Sequence, residues 1–111
     1  AILRTAWVYS PFGKNFVRTM LRLAQTRDAV GVVADQAGCP TNALDIADAI
    51  FAVAKNLLAR RQDHALRGVF HMSAQGEAVW ADVAEAIFAE RVAAGGQPVA
   101  VGRIATSDYP T

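Results

Sequence analysis

Strand-like and helix-like segments alternate along the whole chain, and this alternation constrains the fold more than any other feature. Short apolar runs rich in β-branched residues predict strands, whereas longer segments whose apolar residues recur every three or four positions predict helices. The predicted strands are residues 2–9, 30–33, 68–72 and 99–104. The predicted helices run from an N-cap at Asn15 to about residue 26, from a cap at Thr41 or Asn42 to Arg60, and from Trp80 to a C-cap at Gly95-Gly96. Such an order is typical of an α/β protein with parallel strands.

Size and composition place the chain among folded, weakly charged domains. It has 111 residues, of which 53% are hydrophobic and 19% charged, and its formal net charge is +1. This is one domain or part of one, with enough apolar residues to bury a core. No run of Lys and Arg exceeds Arg60-Arg61, so neither nucleic acid nor a membrane surface is an expected partner.

Other features of the sequence indicate the compartment. No apolar stretch reaches the roughly 20 residues that a membrane-spanning helix needs, and the first residues lack the features of a signal peptide. The single cysteine, Cys39, cannot form an internal disulfide bond, so a reducing cytoplasm is expected. Because the chain begins inside a predicted strand, without a turn or cap, we expect it to be a piece of a larger protein.

The end of the first predicted strand is one candidate ligand site. Ligands of doubly wound sheets bind beyond the carboxyl ends of the strands, and Trp7 and Tyr9 lie at such an end. An indole can stack on a sugar or a base, and a phenol can donate a hydrogen bond. Aromatic residues in such a pattern more often serve simply as core residues. Both interpretations stay open for Trp7 and Tyr9.

The segment 35–41, between the second strand and the second helix, is another candidate. Gly38 permits close approaches that a side chain would forbid, and Pro40 stiffens the loop. Gln36 and Thr41 offer hydrogen-bonding groups to a ligand. The same residues also suit an ordinary connection from strand to helix, capped by Thr41 or Asn42. The pattern does not decide between the two.

The remaining reactive residue types lack partners at the spacings that catalysis or metal binding needs. Cys39 has no paired His or second Cys, His71 lies in an apolar strand and His64 in a charged linker, so these three are expected to be structural or solvated. Asp45 and Asp48 suit the dipole of a helix N-terminus better than an acid-base pair. No Gly-x-Gly-x-x-Gly follows a strand, and no Tyr-x-x-x-Lys is present. The residues alone therefore predict an α/β fragment that contacts a ligand.

Several segments of the chain, taken in order, carry a family pattern. They are residues 3–9 (Leu-Arg-Thr-Ala-Trp-Val-Tyr), 13–20 (Gly-Lys-Asn-Phe-Val-Arg-Thr-Met), 35–41 (Asp-Gln-x-Gly-x-Pro-Thr), 45–47 (Asp-Ile-Ala), 70–76 (Phe-His-Met-Ser-Ala-x-Gly), Trp80 with Ala84, and 104–111 (Ile-Ala-Thr-x-x-Tyr-Pro-Thr). Together they resemble the dTDP-4-dehydrorhamnose reductases, which are extended short-chain dehydrogenase/reductases. The resemblance implies that residues 1–111 are the C-terminal, substrate-binding part of a Rossmann-like α/β protein, with a few short, largely parallel strands and three helices.

The resemblance also implies an activity and a division of labour. Members of that family reduce the 4-keto group of dTDP-4-dehydro-L-rhamnose with NADPH or NADH, which yields dTDP-L-rhamnose for cell-surface polysaccharide. The cofactor site and the catalytic Thr or Ser, Tyr and Lys would precede Ala1, so the chain alone is expected to be inactive. Trp7 would contact the deoxysugar nucleotide. The other substrate-binding residues implied by the family motifs are Asn15, Gln36, Gly38, Pro40 and Thr41.

Two departures from the family pattern stand out. Val79 occupies a position where the family usually has a Ser before the Trp, so the third helix loses an expected N-cap. The chain also stops at Thr111, where the family usually continues.

Alternative functions remain open at this stage. One is a non-catalytic regulatory subunit that keeps the sugar-nucleotide cleft, and the other is a sister nucleotide-sugar epimerase or reductase. An exposed first strand would also be able to pair with a second copy of the chain, so a homodimer is open as well.

Overall fold

Eight short strands and three α-helices occur in residues 1–110, the part of the chain that a computed structural model describes. The helices are α1 (Phe16–Leu23), α2 (Ala43–Ala59) and α3 (Trp80–Ala93). The strands are β1 (Ile2–Arg4), β2 (Val8–Tyr9), β3 (Ala29–Val33), β4 (Ala37–Gly38), β5 (Thr41–Asn42), β6 (Val69–His71), β7 (Ala78–Val79) and β8 (Ala100–Ile104). Two single helical turns are formed by His64–Leu66 and Thr106–Asp108.

The strands form four separate pairs, most of them parallel. β1 pairs with β6, β2 with β5 and β3 with β8 in parallel, while β4 and β7 are antiparallel. The longest ladder joins β3 and β8 in the register Val33 to Ile104, so the carboxyl ends of these two strands lie side by side. The predicted α/β class, with short and largely parallel strands and three helices, is confirmed.

The prediction of one continuous strand over residues 2–9 is wrong. The first strand ends at Arg4 and the next begins at Val8, because the extended conformation is interrupted at Trp7. Its φ of +55° is the only positive φ of a non-glycine residue in residues 1–110. β1 and β2 consequently pair with different partners. In this segment Leu3, Trp7 and Tyr9 are half-buried, whereas Ile2 and Val8 are 61% and 44% exposed.

The helix ends follow the capping chemistry of the sequence closely. Asn15 caps α1, since its side-chain oxygen accepts the Arg18 N–H at 3.2 Å. Asn42, rather than Thr41, caps α2 by accepting the Leu44 N–H at 2.9 Å. Beyond α3, Gly95 has a φ of +94°, and the N–H groups of Gly95 and Gly96 bond to the carbonyls of Val92 and Arg91. These paired bonds form a Schellman motif, as the two glycines predicted.

Val79 precedes α3 without a side-chain cap, as its chemistry requires. The carboxylate of Asp82 accepts the Val79 N–H at 3.3 Å and so supplies half of a capping box. The other half needs a hydroxyl that valine lacks.

The core lies between α1, β3 and α3. It is built from Met20 of α1 and the C-cap residue Ala24, Val30 and Val32 of β3, and Ala81, Ala84 and Phe88 of α3. The helical spacing of Val83, Ala84, Ile87 and Phe88 predicts that these residues face inward, and this is confirmed: Ala84 and Phe88 are buried, and Val83 and Ile87 are half-buried.

Helix α2 contributes no buried residue to this core. The sequence predicts one broad apolar face on this helix. That face is half-buried at Ile46, Val53 and Leu57 and exposed at its other members, Ile50, Ala54 and Leu58. Phe51, outside the predicted face, is 69% exposed. No helix within residues 1–110 is long and apolar enough to cross a membrane.

Candidate functional site

Three aromatic side chains from different parts of the chain form a stack. The rings of Trp7 and Trp80 are nearly parallel, with centroids 3.6 Å apart and an interplanar angle of 11°. Phe16 packs on Trp80 with a centroid distance of 4.5 Å and a tilt of 40°. Trp80 opens α3 and Phe16 opens α1, so the stack joins the starts of two helices to the break between β1 and β2. Half-buried aromatic faces of this kind suit contact with a sugar or a base.

The backbone around Trp7 is fixed by the loop that leads to α2. The Trp7 carbonyl accepts the Thr41 N–H at 3.0 Å. Gly38 lies against the indole so closely that a Cβ atom on it would be 2.4 Å from Cε2 of Trp7. The close approach that a glycine permits at this position is therefore made to the Trp7 ring of the same chain.

The hydroxyl of Thr41 is committed to this loop. Thr41 is 3% exposed, its Oγ1 donates to the Cys39 carbonyl at 2.9 Å, and the Ala74 N–H donates to Oγ1 at 3.2 Å. Thr41 thereby ties the loop before α2 to the segment after β6. In this arrangement Thr41 holds the loop in which Gly38 lies against Trp7.

A cleft of about 630 Å³ opens beside the aromatic stack. Residues from α1, β3, the start of α3 and the segment after β8 line it: Phe16, Thr19, Met20, Leu23, Arg27, Val30, Gly31, Val32, Val33, Gln36, Trp80, Ile104, Tyr109 and Pro110. A volume of this size and a mostly apolar wall with a few polar groups are typical of small-molecule sites. Gln36 and Trp80 bring an amide and an indole to the same cleft.

A hydrogen-bonded network at the ends of β3 and β8 holds one wall of the cleft. The Asp35 carboxylate accepts the Thr106 N–H at 3.0 Å and the Thr106 hydroxyl at 2.6 Å. Thr106 Oγ1 accepts a hydrogen bond from Nε2 of Gln36 at 3.1 Å. The bonds from Thr106, its side chain first and its backbone second, hold the pKa of Asp35 below its ordinary value.

The predicted substrate residues fall into separate places. Trp7, Gly38 and Thr41 meet around one turn, and Gln36 lines the cleft. Asn15 uses its amide to brace the entry to α1, donating to the carbonyls of Ser10 at 2.8 Å and Phe12 at 3.3 Å. Pro40 is half-buried in the loop before β5.

Reasoning from the residues alone missed three members of this region. Trp80 and Phe16 had only been assigned to helix patterns, and Thr106 to none. Trp80 and Phe16 are aromatic residues at the start of a helix, and Thr106 is a threonine shortly after a strand. Ligand sites are usually built at such ends of elements, so these positions were the available signals. Within residues 1–110, no cluster of His, Cys, Asp and Glu is arranged to hold a metal ion.

Several solved structures and curated relatives that this chain resembles are named dTDP-4-dehydrorhamnose reductases. A dTDP-4-dehydrorhamnose reductase of Bacillus anthracis, solved in complex with NADP, superposes with a TM-score of 0.81 at 34% identity, covering 96% of this chain and 34% of that one. The Clostridium acetobutylicum reductase gives a TM-score of 0.80 at 36% identity, covering 98% and 34%. The Sinorhizobium fredii dTDP-4-dehydrorhamnose reductase is 48% identical over 99% of this chain.

This chain is shorter than the proteins that it matches. It spans 37% of the length of the Sinorhizobium fredii relative. A family model, described as the RmlD substrate binding domain, matches residues 1–111. The chain therefore belongs to the RmlD substrate-binding domain family.

Proposed function

We propose that this chain forms the sugar-nucleotide side of the substrate cleft in a longer dTDP-4-dehydrorhamnose reductase. Such a protein reduces the 4-keto group of dTDP-4-dehydro-L-rhamnose to give dTDP-L-rhamnose, with NADPH or NADH as reductant. The observation that carries the proposal is the cleft beside the Trp7–Trp80–Phe16 stack, with Gln36 in its wall, in a chain 48% identical to a reductase of that name.

The chemistry of the cleft suits a deoxysugar nucleotide. A 6-deoxysugar presents an apolar C–H face and several hydroxyl groups, so it is recognised by an aromatic surface together with a few hydrogen-bonding groups. In the proposal, Trp80 and Gln36 meet the ligand from the wall of the cleft, Gln36 through a hydrogen bond. Trp80 stacks on the ring of the half-buried Trp7 and Gly38 lies against it, so Trp7 contacts the sugar with the part of its indole that they leave exposed. Gly38, Pro40 and Thr41 frame the loop that sets the position of Trp7, and Asn15 fixes the start of α1.

The described residues offer no cradle for the pyrophosphate of a dinucleotide cofactor. Within residues 1–110, no glycine-rich turn joins a strand to a helix N-terminus, the arrangement that cradles a dinucleotide pyrophosphate. Only Gly13 lies between β2 and α1, as a single glycine with a φ of +70°. We therefore assign the cofactor, together with the catalytic Tyr and Lys, to residues outside this chain. The cytoplasm remains the predicted location, from the single Cys39.

A sister reductase is the second candidate, and one relative favours it. A protein of Streptomyces niveus named dTDP-4-keto-6-deoxy-D-glucose reductase is 45% identical over 78% of this chain. The two candidate substrates share the dTDP group and a 4-keto-6-deoxyhexose, so the described cleft suits both.

Assays of the natural full-length protein separate these functions. Purified protein is mixed with either dTDP-4-keto sugar and with NADPH or NADH, and the loss of reduced cofactor is followed spectroscopically. We expect turnover with dTDP-4-dehydrorhamnose and the larger kcat/KM for that sugar. A larger kcat/KM for dTDP-4-keto-6-deoxyglucose would favour the sister reductase. Binding of the nucleotide sugar without any turnover would favour the non-catalytic regulatory homologue.

The 111 residues alone are expected to be inactive, and reductase activity in that polypeptide would contradict the assignment of the catalytic groups.

A further inference from the structure

The carboxyl ends of β3 and β8 meet beside the cleft, and the sequence places polar residues shortly after each. The strand pairing ends at Val33 and Ile104, and the Ala34 N–H still bonds to the Ile104 carbonyl at 2.9 Å. Asp35 and Thr106 each follow after one intervening alanine, although they are 71 positions apart in the chain. Their side chains are thus brought together by the β3–β8 register.

The direction of each hydrogen bond in this group is determined by its chemistry. An ionised carboxylate only accepts, so the single hydroxyl proton of Thr106 goes to Asp35. Oγ1 of Thr106 then has a lone pair free to accept from a donor, and Nε2 of Gln36 supplies that bond at 3.1 Å. Asp35 orients Thr106, and Thr106 orients the Gln36 amide.

This orientation leaves the amide oxygen of Gln36 available to a ligand. One N–H of Nε2 bonds to Thr106, which fixes the plane of the amide, and no hydrogen bond within residues 1–110 uses Oε1 or the second N–H of Nε2. Gln36 lines the same cleft as Trp80, where the proposed sugar nucleotide binds. An amide oxygen accepts from hydroxyl or N–H groups, both of which a nucleotide sugar carries.

We propose that Thr106, held by Asp35, is a positioning residue that fixes the Gln36 amide so that Oε1 accepts a hydrogen bond from the bound nucleotide sugar. This proposal rests on the proposed sugar-nucleotide cleft. It goes beyond that function by naming the residues that orient the hydrogen-bonding group in one wall of the cleft. Thr106 touches no substrate itself and acts through Gln36. Its substitution therefore changes substrate binding and leaves the chemical step nearly unchanged.

The test compares Thr106→Val, Gln36→Leu and the double variant in the natural full-length protein. One neutral hydrogen bond corresponds to about fivefold in affinity, so each single variant is expected to raise the KM for the keto sugar by about that factor. The double variant should raise KM no further than the stronger single variant, because both changes remove the same interaction. We expect kcat and the KM for the nicotinamide cofactor to change less than about twofold. Thr106→Ser keeps the hydroxyl and should restore KM to within about twofold of the wild-type value.

A matched control separates positioning from loss of structure. Thr26 is an exposed threonine outside the cleft, so Thr26→Val makes the same exchange of atoms without touching the network. It should leave KM unchanged. Additive effects of Thr106→Val and Gln36→Leu, a fall in kcat at constant KM, or an unchanged KM for Thr106→Val would each overturn the proposal.

Calorimetric titration with dTDP-L-rhamnose keeps the two proposals distinguishable. If the wild-type protein binds this nucleotide sugar without turning over any keto sugar, the reductase assignment fails. The positioning role of Thr106 is then tested by comparing the Kd of Thr106→Val with that of the wild-type protein. If the protein turns over the keto sugar while Thr106→Val binds as tightly as wild type, only the positioning role fails. An absence of binding by the wild-type protein would overturn both.

Discussion

The position of Trp7 depends on two residues that contact it from other parts of the chain. Its left-handed backbone is held by the hydrogen bond from Thr41, and its ring fits against a glycine. The motif that contains Gly38 and the aromatic character of Trp7 are both visible in the sequence. Their contact could not be predicted, because it depends on a break in the strand that a run of β-type residues does not reveal. By contrast, the caps at Asn15 and Gly95 were predicted correctly, since capping involves only neighbouring residues.

Substitution of Gly38 by alanine tests the packing around Trp7. Gly38 does not have a positive φ, so the change adds no backbone strain, only a methyl group 2.4 Å from an indole carbon that is already stacked on Trp80. We expect Gly38→Ala to lower the free energy of unfolding by about 1–3 kcal/mol, as overpacking does. The near-ultraviolet circular dichroism of the stacked indoles should weaken in parallel. Gly31→Ala is the control, because its new Cβ would meet Ile104 at an ordinary 3.7 Å. Equal effects of the two substitutions would contradict the close contact.

The Asp35 carboxyl gives a prediction on pH. Its pKa is lowered from the ordinary value of 3.8 by the hydrogen bonds from Thr106. A carboxyl whose pKa is lower in the folded state than in the unfolded state stabilises the protein above the unfolded pKa, and this stabilisation is lost as the pH falls through the folded pKa. The stability difference between wild type and Thr106→Val should therefore be constant from neutral pH down to the ordinary pKa, and shrink below it. An NMR titration of the carboxyl carbon should give Asp35 a lower pKa in wild type than in Thr106→Val. The same pKa in both proteins would show that the hydrogen bonds do not persist in solution.

At the scale of elements, the predictions were right for segments whose apolar pattern extends over several consecutive residues. The three helices and the strands β3, β6 and β8 were predicted close to their observed bounds. The two-residue strands β4, β5 and β7 were missed, because their pairing depends on partners distant in sequence and their residues also suit turns. The hydrogen bonds that hold the polar wall of the cleft could not be predicted for the same reason, since the Asp35–Thr106 contact requires the β3–β8 register.

The missing cap of α3 can be restored. Val79 already has an extended cap conformation, with φ −93° and ψ 162°, and Asp82 supplies the reciprocal bond. Val79→Thr keeps nearly the same volume and adds the hydroxyl, so we expect it to raise the free energy of unfolding by about 0.5–1 kcal/mol. Urea denaturation of the full-length protein measures the change. Val99→Thr makes the same replacement at another half-buried valine, where no helix begins, and should be destabilising. A destabilised Val79→Thr variant would show that apolar packing at this position outweighs capping.

At the scale of the whole molecule, the exposed apolar residues of α2 form a regular pattern. Leu44, Phe51 and Leu58 recur every seven residues, which places them on one face of the helix, and all three are exposed. Large apolar side chains exposed along one helix face are typical of a covered surface. Because the relatives are nearly three times as long as this chain, we propose that residues of the full-length protein outside this chain cover this stripe.

Phe51→Ala in the natural full-length protein tests this proposal. Burial of Phe51 by the rest of the full-length protein predicts a loss of about 3 kcal/mol in the free energy of unfolding, since truncation of a buried phenylalanine leaves a cavity. Val92→Ala truncates an exposed side chain on α3, a helix that already packs on the core of this chain, and should cost less than about 0.5 kcal/mol. If a second copy covered the stripe instead, the loss would depend on protein concentration, and the variant would elute as a monomer where wild type elutes as a dimer. A loss as small as that of Val92→Ala, at every concentration, would mean that α2 faces solvent in the complete protein.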